Sequence, residues 1–214
     1  MIQIKKFVFN AFQVNTYILF DETKECIIID AACSSAEEEG ALLHFIETQQ
    51  LVPVLMLNTH CHIDHILGNA FVSEQFNLQL AAHPGGEMYL DAALISAKTY
   101  GLRLEKIIQP RLSLKDGQIL SVGKSTLKVL FTPGHASGSI CLYCEEASFV
   151  ISGDVLFYQS IGRTDLPGGD YDLLKKSIWS KLFALPDATV VYPGHGPETS
   201  IGSEKVNNPF IAIG

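Results

Sequence analysis

Long hydrophobic runs, basic runs and a disulfide framework are all missing from this sequence of 214 residues. Lys and Arg number 15 against 23 Asp and Glu, a formal charge of −8 at pH 7. Phosphate affinity rests on clustered Lys and Arg, so this balance argues against a nucleic-acid or membrane-surface partner. The apolar residues of the opening MIQIKKFVFNAFQVNTYILF are interrupted by Asn10, Gln13, Asn15 and Thr16. Neither a signal-peptide core nor a membrane span fits such a stretch. Cysteine is sparse: the five residues are an odd number and too few for a disulfide scaffold. A cytoplasmic protein with reduced thiols is expected. Cys141 and Cys144 form a CxxC, but the stretch alternates like a strand and has no second CxxC or histidine pair nearby. A packing role is expected for both.

Repeats, low-complexity segments and linkers are absent too, so one domain over residues 1–214 is expected, and 47% hydrophobic content can fill its core. Strand patterns fall at residues 2–9, 16–20, 26–30, 53–57 and 78–82 in the first half. Ser34 or Ser35 is a candidate N-cap for a helix to about residue 49, with Leu42, Leu43 and Ile46 on its apolar face. Further helices are expected over about 65–76 and after Pro84. The second half repeats the theme, with strands at 118–122, 126–131, 139–143, 149–152 and 189–192 and a helix over 171–183. Two strand-rich halves, each with helices, predict an α/β architecture of two sheets between helix layers.

Histidine is what the sequence does concentrate. Five of its seven histidines fall in three short segments. In NTHCHIDHILGN, residues 58–69, His60 and His62 are two apart, so on extended backbone both rings point one way while Cys61 and Ile63 point the other. Asp64 and His65 then open a helix whose first turn curls back toward the strand end. Helix capping by Asp64 would explain one of these four residues and leave three histidines without a reason. His135 in FTPGHASGS, Asp154 in FVISGDVLF and His195 in VVYPGHGPET each stand at the exit of an apolar run. Alone, each reads as a turn residue; their shared placement makes them ligand candidates. Histidine and carboxylate are ligands that zinc, iron and manganese accept. His44 is expected on a helix surface and His83 in a structural role. Arg163, Thr164 and Asp165 lie among glycines, where a turn network is expected and Arg163 is a candidate substrate contact.

The set THCHIDH, PGH, GD and PGHG, in this order and covering nearly the whole chain, resembles the metallo-β-lactamase superfamily. With five histidines and Asp64 in place it is similar to glyoxalase II-type members. SIGRTDLPGGD (residues 160–170) and the ending GHGPETSIGSEKVNNPF resemble a compact bacterial branch of that group. The resemblance implies an αββα sandwich with its site at one edge. It implies that His60, His62 and His135 hold one metal, that Asp64, His65 and His195 hold a second, and that Asp154 bridges them. Two divalent ions follow, zinc being expected and iron or manganese the alternatives.

Such a site implies hydrolysis of a small-molecule thioester by hydroxide, because bound metal lowers the pKa of water toward about 7. Asp64 would orient that nucleophile. No positioned general acid is visible, and a thiolate leaves more readily than an amine, which favours thioesters over lactams. Mononuclear-iron persulfide dioxygenases resemble the sequence as well, including its GRTD segment. They would use His60, His135 and Asp154 around one iron with open positions. A non-catalytic metal-binding module is the third reading. Glyoxalase II enzymes often carry a C-terminal helical domain that grips glutathione; the nineteen residues after His195 are too few for one, and Lys205 is their only basic residue.

Overall fold

The computed structural model describes residues 1–104 and 106–212. The first half runs β1 (Gln3–Phe9), β2 (Val14–Phe20), β3 (Glu25–Ile29), α1 (Ala36–Thr48), β4 (Val52–Leu57), α2 (Asn69–Phe76), β5 (Leu80–Ala82), α3 (Glu87–Asp91), α4 (Ala93–Tyr100) and β6 (Leu112–Ser113). The second runs β7 (Ile119–Val122), β8 (Ser125–Phe131), β9 (Ile140–Cys144), β10 (Phe149–Gly153), β11 (Leu156–Phe157), β12 (Ser160–Ile161), α5 (Tyr171–Ser177), β13 (Val190–Pro193), β14 (Thr199–Ser200) and α6 (Ile201–Asn207). One mixed sheet has the order β1-β2-β3-β4-β5-β6, the other β14-β13-β10-β9-β8-β7.

Side-chain alternation explains the layering. Tyr17 and Leu19 of β2 and Ile27 and Ile29 of β3 face the second sheet, where they meet Val129, Leu142 and Ile151. The intervening Ile18, Ile28 and Met56 face the other way and pack under Leu42 and Ile46 of α1. Cys141, Val150 and Val191 cover the far side of the second sheet beneath Leu174 of α5. Each central strand is therefore apolar on both faces, as strands buried between layers must be. A helix–sheet–sheet–helix sandwich follows from that pattern. Cys144 packs between the sheets while Cys141 packs under α5, so the CxxC thiols lie on opposite faces and do not share a ligand.

Topology gathers strand ends. β3 and β4 are parallel, as are β10 and β13. β8 and β10 both run antiparallel to β9 and hence alongside each other in direction. The carboxyl ends of all five strands open on one edge, the usual place for a ligand site in such sheets. Among the described residues no helix is long and apolar enough to cross a membrane.

Several boundaries differ from expectation. The helix expected over 65–76 is a single tight turn at Ile63–His65 followed by α2 from Asn69. The helix expected over 171–183 ends as α5 at Ser177 and widens into a π turn over Ile178–Leu182. α6 lies in the segment after His195, capped by Ser200, whose side chain accepts from Ser203 N–H. Its seven residues are below the length at which periodicity is readable.

Candidate metal centre

The loop after β4 is held first by backbone bonds, Asn58 N–H to the Ala81 carbonyl at 3.1 Å and Ile140 N–H to the Thr59 carbonyl at 2.9 Å, and then by side chains. Asn58 Nδ2 donates to the His65 carbonyl at 3.0 Å, and Asn69 Nδ2 to Asn58 Oδ1 at 2.7 Å. His62 holds extended backbone before the turn (φ −62°, ψ 150°), and its ring lies 4.8 Å from that of His60. Cys61 packs the other way, into a cluster with Ile63, Leu90 and Ala93. The parity expected of a strand thus holds without one. His135 follows β8, Asp154 follows β10, and His195 follows β13. Asn15 of β2 anchors the last of these loops, donating through Nδ2 to the carbonyls of Pro193 and Gly196 at 2.9 Å each. Gly194 must lack a side chain, because a Cβ there would enter the Asp154 carboxylate and meet the His65 ring at 3.0 Å.

All seven candidate side chains come together. His60, His62 and His135 offer ligand atoms within 4.8 Å of one another, and so do His60, His65 and Asp154, and Asp64, His65 and His195. Asp154 stands at the centre. Its carboxylate lies 3.4 Å from His65 Nε2, 3.7 Å from His135 Nε2 and 3.4 Å from His195 Nε2.

Acceptors behind the rings decide which nitrogen faces inward. His65 Nδ1 meets Asp30 Oδ2 at 3.1 Å, His135 Nδ1 the Arg163 carbonyl at 2.8 Å, and His195 Nδ1 the Phe12 carbonyl at 2.9 Å. These partners can only accept, so each Nδ1 carries the proton and each Nε2 is left with a lone pair. Thr59 Oγ1 donates to Asp30 Oδ2 at 2.6 Å, so at 3.2 Å it accepts from His60 Nδ1, with the same result. Such outward bonds orient metal-ligating imidazoles generally.

The converging atoms fit a cation. His60 Nε2 and His135 Nε2 are buried with no hydrogen-bond partner, a costly state unless a ligand satisfies them. His65 Nε2 and His195 Nε2 face each other at 3.3 Å, where two lone pairs need positive charge between them. Burial, helped by His65 and His62, pushes His60 well below the ordinary imidazole range. Burial likewise takes His62, next to His135 and His65, down to about 3. Burial opposes charge on His65 as well, yet the carboxylates of Asp154, Asp64 and Asp30 raise it well above the ordinary range. His195 rises to about 9 against the same burial, through contact with Asp154 and Asp64. The carboxylates call for positive charge that these inward nitrogens can hold only as a proton or a metal.

The sequence profile described as the metallo-beta-lactamase superfamily matches residues 9–195. The chain belongs to the metallo-β-lactamase superfamily. It is 38% identical to the probable metallo-hydrolase YqgX of Bacillus subtilis over 93% of this chain and 92% of that protein. It is 34% identical to the hydroxyacylglutathione hydrolase GloC of Haemophilus influenzae, covering 94% of each. Among solved structures, the BLEG-1 B3 metallo-beta-lactamase superposes with a TM-score of 0.88 at 37% identity, over 98% of this chain and 99% of that one. TTHA1623, solved in a di-iron-bound form, gives 0.86 at 34% identity over 97% and 100%. ETHE1 from Myxococcus xanthus is more distant, with 0.79 at 27% identity over 98% of this chain and 84% of that one.

In this superfamily member two cavities meet at the cluster. A recess of about 340 Å³ is lined by Phe12, Met88, Tyr89, Tyr100 and Leu166 together with His62, Asp64 and His195. On the other side a more open groove of about 410 Å³ runs along Phe157, Tyr158 and Pro197. Arg163 lines both. Its guanidinium is bidentate on Asp165 at 2.8 and 2.7 Å, in an exposed turn. His44 is exposed on α1. His83 stacks on Phe131 and accepts from Gly85 N–H, away from the cluster's lining.

Sequence reasoning passed over Asp30, the hub behind the histidines. It is buried and accepts from Thr59 N at 2.7 Å, Thr59 Oγ1 and His65 Nδ1. The signal was available: like Asp154, it ends an apolar strand, ECIIID. Its φ of +51° is one that asparagine also adopts readily, so Asp30→Asn tests its charge without straining the backbone. Metal affinity is expected to fall by about 10- to 100-fold, measured by competition with a chromophoric chelator; unchanged affinity would show that Asp30 only packs.

Proposed function

We propose that this chain is a glyoxalase II-type thioester hydrolase using two divalent metal ions, zinc foremost. The observation that carries the reading is the set of inward Nε2 atoms and carboxylates placed between two substrate-sized cavities. His60, His62 and His135 would hold one ion, Asp64, His65 and His195 the other, and Asp154 would join them. The ions supply Lewis acidity, lowering the pKa of water and offsetting charge on a carbonyl oxygen.

The chain's own groups position the reaction. Nδ1–H bonds to Asp30, Thr59, Arg163 and Phe12 lock the rings, so little reorganisation accompanies charge development. The Asp64 carboxylate, 3.4 Å from His195 Nε2, is placed to orient water for attack and hold its proton. An O–C bond forms, the C–S bond breaks, and a carboxylic acid and a thiol result. Tyr89 packs edge-on against His62 with ring centroids 4.8 Å apart. Its hydroxyl proton is committed to the Pro167 carbonyl at 3.1 Å while it accepts from Ser137 N–H. A leaving group that departs without protonation suits that environment, and a thiolate is one. The activity that GloC is named for supports the same reading.

Arg163 is proposed as a substrate contact at the junction of the cavities. Its surface pair with Asp165 costs little to open. A panel of lactoyl-glutathione, the lactoyl thioester of a smaller thiol, and a chromogenic cephalosporin tests the proposal. Thioesters should turn over faster than the cephalosporin, and glutathione should gain far less than a thousandfold in kcat/KM over the small thiol. Faster cephalosporin turnover would favour lactamase chemistry of the kind named for BLEG-1. A preference of about a thousandfold, about 4 kcal/mol, would reveal a dedicated glutathione site.

A further inference from the structure

We infer that the recess on the Phe12 side receives the acyl arm of the thioester, and that this arm is apolar and of medium length. The inference rests on the thioesterase reading of the same site. Phe12 projects from the turn between β1 and β2, where its carbonyl holds His195 Nδ1 at 2.9 Å. Its ring meets Tyr100 of α4 edge-on, centroids 5.8 Å apart. The two therefore clasp the recess from separate elements. Met88, Tyr89 and Leu166 complete an apolar wall. Arg163 is the one Lys or Arg side chain in that wall among the described residues, and it is paired with Asp165.

Thiol carriers bear amide, carboxylate or phosphate groups, which lose solvation in an apolar recess and gain few partners there. The open groove along Phe157 and Tyr158 leaves them in water. An acyl chain has the opposite requirement. The carbonyl lies over the cluster between the two arms.

The experiment uses the metal-loaded protein and acetyl, butanoyl and hexanoyl thioesters of one small thiol. Each buried methylene is worth up to about fourfold, so kcat/KM should rise at least about tenfold from acetyl to hexanoyl. Ser96 lines the recess on α4 and is half-buried. Ser96→Phe should fill the space and abolish the rise, while Phe12→Ala, at a side chain 39% exposed, should flatten it. Hexanamide, which has no thiol, should bind the native protein more tightly than acetamide with a negative heat-capacity change, and Ser96→Phe should remove the difference. A flat profile with acyl length, an equal effect of Ser96→Phe on every acyl group, or a dependence that follows the thiol overturns the inference and leaves the thioesterase reading intact. No turnover of any thioester overturns both.

Discussion

Asp154→Asn is expected to lower kcat/KM on the order of a thousandfold, the scale seen when one preorganised group is removed from a hydrolytic site. Asparagine keeps the shape and removes the charge that faces His65, His135 and His195. Burial opposes ionisation of Asp154, but His65 and contact with His195 hold its carboxyl well below the ordinary range. His62→Ala should fall as far, because it removes one of the three rings that converge there, leaving only His60 and His135. The control is Cys61→Ala, one residue away. Its thiol is buried among Ile63, Leu90 and Ala93, and burial pushes it up to about 12, leaving it protonated and inert. Activity should stay within about threefold, with a stability loss of about 1 kcal/mol. Loss of metal in Cys61→Ala would mean that Cys61 and not its neighbours faces the site.

Chelation is the second large effect. Freshly purified protein should carry close to two transition-metal ions per chain, since the seven candidate ligands exceed the needs of one tetrahedral ion. Removing them should abolish hydrolysis, and zinc, iron or manganese should restore part of it. Stability should fall too: a ligand at a hundredfold over its Kd contributes about 2.7 kcal/mol, roughly 5–10 °C in Tm for a chain of this size. Calorimetry with and without chelator reads that shift independently of any substrate. Full activity with one ion would sink the two-ion reading. One iron per chain with oxygen uptake would replace hydrolysis by the dioxygenase alternative.

Particular residues show where sequence reading succeeds and stops. Two sheets between helix layers were legible because two strand-rich halves, each with helices, must bury their apolar faces against one another, and the family resemblance implied the αββα order. The histidine motif was legible because polar residues clustered at strand exits have no cheap structural explanation. Asn15 and Asn58 were not, since a lone Asn in or after a strand has the same local chemistry whether it caps a turn or anchors a ligand loop, and Asp30 was passed over although it ends a strand as Asp154 does. α6 and the two-residue strands β6, β11, β12 and β14 were also invisible, being too short to show a period.

Layer order, strand exits and the residue types available for metal chemistry can be read along the chain, because hydrophobic periodicity and ligand identity are local properties. Packing decided which nitrogen faces inward in His65, His135 and His195, because the deciding acceptors lie far along the chain: Asp30 for His65, Arg163 for His135, and Phe12 for His195 across a separation of 183 residues. It alone also set the two cavities on either side of Asp154. Their walls come from the β1–β2 turn, α4 and the Asp154–Arg163 segment, which meet only when the two sheets pack and bring their carboxyl ends to one edge.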